Sequence, residues 1–239
     1  YRTWLEEAGL EVALGSPYNL RRTEDDPTVR VFEEPVGVLL RHYKTDWWGE
    51  RLPVRDDEPP VADPAPLRAP LLALLEASVE RRTAVVNPFG AALTQNKRAM
   101  ALLWEVVDRL SPGAASAVRR FLPFTARLED VHEQVRTERA HWVLKSDYGC
   151  EGDEVVLGPH VDQAGWEDAL DHAIPHRWIA QRWFDAEPAA DGCVQNHGVY
   201  LVAGEPAGLL LRRHAPGATD GSATIAPALL PALPTEAST

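Results

Sequence analysis

The 239 residues carry 24 Lys and Arg against 36 Asp and Glu, a net charge of -12 at pH 7, with 45% hydrophobic and 25% charged residues and a mean hydropathy of -0.26. That length allows one large domain or two small lobes with a sizeable core and excludes a miniprotein, while the composition excludes a disordered or membrane-embedded chain. The acidic balance sets the field against nucleic acid and anionic lipid, whose affinity comes from Lys and Arg, and tolerates a neutral or cationic partner.

The opening YRTWLEEAGL holds acids where a signal peptide needs a basic start and an apolar stretch, and no uncharged apolar run nears the ~18 residues of a membrane helix, so the expected compartment is the cytoplasm. The chain runs from Tyr1 straight into a helix, and a processed chain or a fragment with an upstream segment is expected. Helix over TWLEEAGL, a strand EVAL and a buried strand VGVLLRHY make a first α/β unit. Residues 52–70, dense in proline and acid, form a loop or linker. Beyond it a helix over 71–82, a strand TAVVN and a helix over 95–110 are expected, the last burying Ala99, Leu102, Leu103, Val106, Val107 and Leu110. Two helices then span 114–140, joined around residues 122–124. HWVLKSDY and EVVLG pair as a hairpin about GCEG, a helix covers 166–173, RWIAQRWF is a strand, and CVQNHGVYLV pairs with PAGLLLRR. The tail from Ala226 has no periodicity and is expected to be disordered.

Three segments could carry chemistry. Thr94 is a plausible N-cap, which puts the cations Lys97 and Arg98 in the first turn, where the helix dipole disfavours them unless an anion such as phosphate lies between; the alternative is that both splay into water. In VLKSDYGCEGDEVVLG, Lys145 ends a strand and Gly149 and Gly152 let backbone N–H groups turn toward a ligand, although a plain hairpin tip explains the pattern equally. RWIAQRWF bears one amide, Gln181, with Trp183 and Phe184 able to pack on a purine ring, against the alternative of an ordinary core strand. Pro175 breaks the His172 and His176 spacing, which argues against zinc, and Cys150 and Cys193 are too few for a disulfide framework. Lys44, Lys97 and Lys145 are the three lysines beside twenty-one arginines.

In their order, RHYKTDWWGE, NPFGAALTQNKRAMALLWE, KSDYGCEG, IAQRWF and NHGVYLVAGEPAGLLLRR resemble the glutathionylspermidine synthase-type, circularly permuted ATP-grasp ligases. The resemblance implies an α+β, ATP-grasp-like fold of two lobes with mixed and antiparallel sheets and a nucleotide cleft between them. It implies a partial pre-ATP-grasp region over 1–51, the linker over 52–70, the ATP-grasp region over 71–225 and a disordered tail over 226–239. It also implies an ATP-dependent ligase that joins a small carboxylate to an amine, with a peptide thiol and a polyamine as the family's best-known pair. Lys97, Lys145 and Ser146 with the Gly149 to Gly152 loop would hold the phosphates of ATP, and Gln181 and Trp183 the adenine. Arg41, Lys44 and Arg212 would face the transferred phosphate or the carboxylate substrate. Magnesium is implied, with its Asp, Glu and Asn ligands expected upstream of this chain; among acids within it, Asp147, Glu151 and Asp220 fall nearest the cleft. Cys150 stands where the family has arginine and Ser146 where it has proline. The alternatives are a non-catalytic nucleotide-binding or interaction module that has lost its magnesium site, and a ligase that joins an amino acid to a peptide.

Overall fold

A computed structural model describes residues 1–23, 26–43, 48, 67–149, 152, 154–202, 204–216 and 223–227. It is a mixed α+β chain with several small sheets, and its contacts divide it into two compact units, Tyr1–Thr94 and Gln95–Thr239. No helix among the described residues is long and apolar enough to cross a membrane.

In the first unit, helix α1 (Arg2–Glu7) precedes an antiparallel sheet of β1 (Leu20–Arg21), β2 (Arg30–Val31) and β3 (Glu34–Pro35). Strand β4 (Val38–Leu40) pairs in parallel with β5 (Ala84–Val86), and α2 (Arg68–Val79) is the crossover between them. Leu20, Val29, Val31, Trp48, Leu67, Leu74 and Ala77 form the core. Three expectations change here. Residues 11–14 form no strand, for EVAL finds no ladder partner among the described residues and leaves Leu14 exposed. Residues 36–43 yield only a three-residue strand paired on one side, with Val38 64% exposed rather than buried. Of the linker, 52–66 lies outside the described residues, while Leu67 belongs to the core and Pro70 falls in the first turn of α2, where its missing N–H costs nothing.

At the junction α3 (Ala91–Gln95) leads into the second unit, which contains α4 (Arg98–Glu105), α5 (Pro112–Phe121), β6 (Thr125–Arg127), α6 (Leu128–Thr137), β7 (Trp142–Lys145), β8 (Val155–Leu157), α7 (Gln163–Ala173) and β9 (Ile179–Arg182). The strands form an antiparallel sheet in the order β6-β9-β7-β8. A second antiparallel sheet joins β10 (Val194–Val202), β11 (Glu205–His214) and β12 (Thr224–Pro227).

The four-stranded sheet is two-faced. Gln181 lies opposite both Thr125 and Val143, so the period-2 alternation puts Thr125, Gln181, Val143 and Lys145 on one face and Trp142, Leu144 and Ala180 on the other. The second face is the apolar core, closed by Leu128 and Val135 of α6 and Trp166, Leu170 and Ala173 of α7. Trp166 is fully buried there and its indole N–H donates to the Val135 carbonyl at 3.1 Å. The polar face is left for other work.

The single helix expected over 95–110 is instead α3, α4 and a short turn at Val107–Arg109. Thr94 does not cap it: its hydroxyl donates to the Ala91 carbonyl, and the Asn96 side chain accepts the Arg98 N–H at 2.8 Å. Of the expected buried stripe Val107 is buried, but within α4 it is Ala101 that is buried while Leu102 and Leu103 are exposed, and Trp104 is anchored by its indole N–H to the Pro123 carbonyl at 3.0 Å. The join at 122–124 leads into β6 rather than directly into a helix, and residues 226 and 227, expected to open the disordered tail, end a strand that pairs with β11. Residues 228–239 lie outside the described residues.

Gly158, at the turn between β8 and α7, has no room for a side chain. A Cβ there would collide with the Arg139 carbonyl oxygen and lie 2.6 Å from that of Trp142. Gly158→Ala is expected to destabilise the second unit by ~1–3 kcal/mol through overpacking. Urea unfolding followed by tryptophan fluorescence measures this, and an unchanged midpoint would show that the turn relaxes freely.

Candidate functional site

Lys145 is the last residue of β7 and projects from the polar face of the sheet. Its ammonium donates to Gln181 Oε1 at 2.7 Å. Gln181, only 4% exposed, passes the interaction on: its Nε2 donates to the Thr125 hydroxyl at 2.9 Å and approaches Met100 Sδ at 3.8 Å. Burial, and secondly the charge of Lys97, push the Lys145 pKa below its ordinary value of 10.5. Two cations thus converge here, and the ammonium form of Lys145 is held at a cost that an anion would relieve.

The segment after Lys145 folds back on itself. The buried Ser146 donates its N–H to the Glu154 carbonyl at 3.1 Å, and its hydroxyl accepts the Gly149 N–H at 2.9 Å. Positive φ angles at Gly152 (89°) and Glu154 (54°) reverse the chain into β8, a conformation that glycine adopts freely. Cys150, Glu151 and Asp153 lie outside the described residues. The start of α4 grips this loop from the other side: the Lys97 N–H donates to the Asp147 carbonyl at 2.8 Å, the Asn96 amide to the Asp147 carboxylate at 3.3 Å, and Lys97 Nζ to the Gly149 carbonyl.

The two cations at the start of α4 therefore part company, and neither splays into water. Arg98 forms a forked pair with both carboxylate oxygens of Glu129 in the first turn of α6. That hydrogen bonding raises the Arg98 pKa and lowers that of Glu129, whose negative charge also suits the helix N-terminus it occupies. Lys97 turns onto the loop that carries Gly149.

The strand RWIAQRWF is ordered as β9 only over Ile179–Arg182. Trp183 donates its N–H to the His141 carbonyl at 2.9 Å and its indole N–H to Asp185 at 3.0 Å, with its ring edge-on to His160. With Phe184, Trp104, Arg120 and Phe124 it lines an open groove of about 500 Å³.

The geometry brings together Lys97, Lys145, Ser146, Gly149 and Gln181, and sets Trp183 at the neighbouring groove. Arg212 lies on the other sheet of the unit, exposed and opposite Asn196 and Ile225. Arg41 belongs to the first unit, where its buried guanidinium donates to the carbonyls of Asn87 at 2.8 Å and Tyr43 at 2.5 Å. Lys44, Glu151 and Asp220 lie outside the described residues. Sequence reasoning missed Asn96 and Thr125. An Asn directly before Lys-Arg at a helix start is a capping signal that could have found the first; Thr125 lay hidden in what reads as the start of a helix but is strand β6. Among the described residues no three His, Cys, Asp or Glu side chains cluster as metal ligands.

The model of the family described as Glutathionylspermidine synthase preATP-grasp matches residues 67–231. No curated protein matches the chain at a significant level. The matched span contains Lys97, Lys145 and Gln181, with every strand of the polar sheet face, and also Arg212 on the other sheet. Since it also covers well over half of the residues, the chain belongs to the glutathionylspermidine synthase preATP-grasp family.

Proposed function

We propose that the chain serves an ATP-dependent carboxylate–amine ligase of the glutathionylspermidine synthase type, with the polar sheet face and its loop as the seat of the ATP phosphates. The observation that carries this reading is the approach of Lys97 and Lys145 from different elements, close enough for one charge to act on the other, with Lys97 on the Gly149 carbonyl and the half-buried ammonium of Lys145 on Gln181. A polyphosphate between them would relieve both the burial and the mutual repulsion, and Lys suits it as a compact, rotatable donor.

In this reading a carboxylate oxygen of the first substrate attacks the γ-phosphorus and ADP leaves, giving an acyl phosphate. The amine of the second substrate then attacks the acyl carbon, phosphate leaves and the nitrogen loses its proton, giving the amide. A peptide thiol and a polyamine are the proposed pair, and the acidic surface suits a polycation. The chain's contribution is position and charge: the ammonium groups neutralise the phosphates, and the loop amides, with Ser146 holding that of Gly149, shape the space above them. Gln181 serves the site through Lys145, so its side-chain amide is engaged away from adenine, and Trp183 and Phe184 are left to flank the base. Arg41, Lys44 and Arg212 are proposed for the transferred phosphate or the carboxylate. Magnesium would supply further neutralisation of the phosphate charge; among the described residues no three His, Cys, Asp or Glu side chains group together as ligands for it.

Lys145→Met is expected to weaken ATP binding by roughly ten- to a hundred-fold, the range for a lost hydrogen bond to a charged group, while the thermal unfolding of the chain persists. Calorimetric titration of both proteins decides; equal affinities would make Lys145 a structural residue. Release of ADP that depends on a carboxylate and an amine separates the ligase from a nucleotide-binding module without catalysis.

The lowered Lys145 pKa fixes a pH dependence. The phosphates need the ammonium form, so ATP affinity should fall as the pH rises through that lowered pKa, at a pH below the 10.5 of an ordinary lysine. In Lys145→Arg, whose side chain stays charged, the fall should vanish from that range. Identical pH profiles for the two proteins would contradict the assignment.

A further inference from the structure

The hydrogen bonds behind Lys145 have only one consistent direction. Their far end is the Pro123 carbonyl, which can only accept, and it receives the Trp104 indole N–H at 3.0 Å and the Thr125 hydroxyl at 2.8 Å. Thr125 has a single proton, and it is spent on that carbonyl. Toward Gln181, 2.9 Å away, the hydroxyl must therefore accept, so the group it faces is the amide NH2. The amide oxygen is then turned to the opposite side, where Lys145 Nζ lies at 2.7 Å. An amide rotated by a half turn would set its NH2 against an ammonium and its oxygen against an oxygen without a proton. Thr125 (1% exposed) and Gln181 (4% exposed) are shut off from bulk solvent, so a wrongly turned amide would leave both groups without that substitute partner.

We propose that Thr125 is a positioning residue for the phosphate-binding lysine: its hydroxyl, committed to the Pro123 carbonyl, fixes the Gln181 amide so that Oε1 faces Lys145 Nζ and holds the ammonium in place. This rests on the assignment of Lys145 to the phosphates. Lys97, at the start of α4, is the charged group that acts on Lys145 among the described residues; the partners from β6 and β9 are neutral, so a correctly turned amide is what they contribute. The network spans Trp104 of α4, Pro123 before β6, Thr125 on β6, Gln181 on β9 and Lys145 on β7, and so ties the ammonium to the packing of the helix on the sheet.

The test compares Thr125→Val, of nearly the same shape without the hydroxyl, with Thr125→Ser, which retains it. The Nζ titration of Lys145 is followed by NMR on protein labelled at lysine Cε, the three lysine signals being assigned by single substitutions. Thr125→Val should lower the Lys145 midpoint by about one pH unit, the equivalent of a lost hydrogen bond to a charged group, and weaken ATP binding about tenfold; Thr125→Ser should restore both. A midpoint unmoved in Thr125→Val, or lowered equally in Thr125→Ser, overturns the proposal. Should the valine variant not fold, the unsubstituted protein decides: the Gln181 amide protons should show nuclear Overhauser contacts to the Thr125 and Met100 methyl groups and none to the Lys145 ε-methylene, and the reverse pattern overturns it. Because the titration and these contacts need no nucleotide, failure of the unsubstituted protein to bind ATP would sink the functional reading alone.

Discussion

A half-buried ammonium beside a second cation is a costly arrangement, and the hydrogen bond from Lys145 to Gln181 helps to hold it in place. It exists because the four-stranded sheet spends its two faces differently. One face carries Trp142, Leu144 and Ala180 into a core closed by α6 and α7, which supplies the stability of the unit. The other face is thereby released to hold Thr125, Gln181 and Lys145 in a row, each satisfied by the next. A one-residue slip of β7 or β9 would exchange the two faces, so register and site are specified by the same alternation.

The loop between β7 and β8 is held from both ends. Ser146 ties it internally through Gly149 and Glu154, and the start of α4 grips it through Asn96, Lys97 and Asp147. Arg98, which could have added a third positive charge, is instead consumed by Glu129. The result is a site whose positive charge comes from two lysines rather than from a basic surface, in keeping with a chain whose overall balance is acidic.

Much of this was legible in the residue order. Short apolar runs bounded by turn residues located β7, β8, β9 and the β10 to β11 hairpin. The rarity of lysine singled out Lys97 and Lys145 among so many arginines. What failed had physical causes. Helical periodicity carried the expected 95–110 helix straight through a break made by side-chain and loop hydrogen bonds at Asn96 and Lys97, and it also placed Leu102 and Leu103, which are exposed, in the buried stripe. Strands β6 and β12 are too short to show alternation and exist through their partners in the sheet. The role of Gln181 could not be read from its own segment, since it is fixed by a threonine 56 residues away.

The central claim is that Lys97 and Lys145 face one polyphosphate, and lysine-selective acylation read by mass spectrometry tests it most directly. Modification rates at both positions are measured with and without ATP on the intact chain. Slowing of both lysines together at the same ATP concentration is the expected result. Protection of one lysine alone, or of neither under conditions where ATP is bound, would contradict a shared phosphate site.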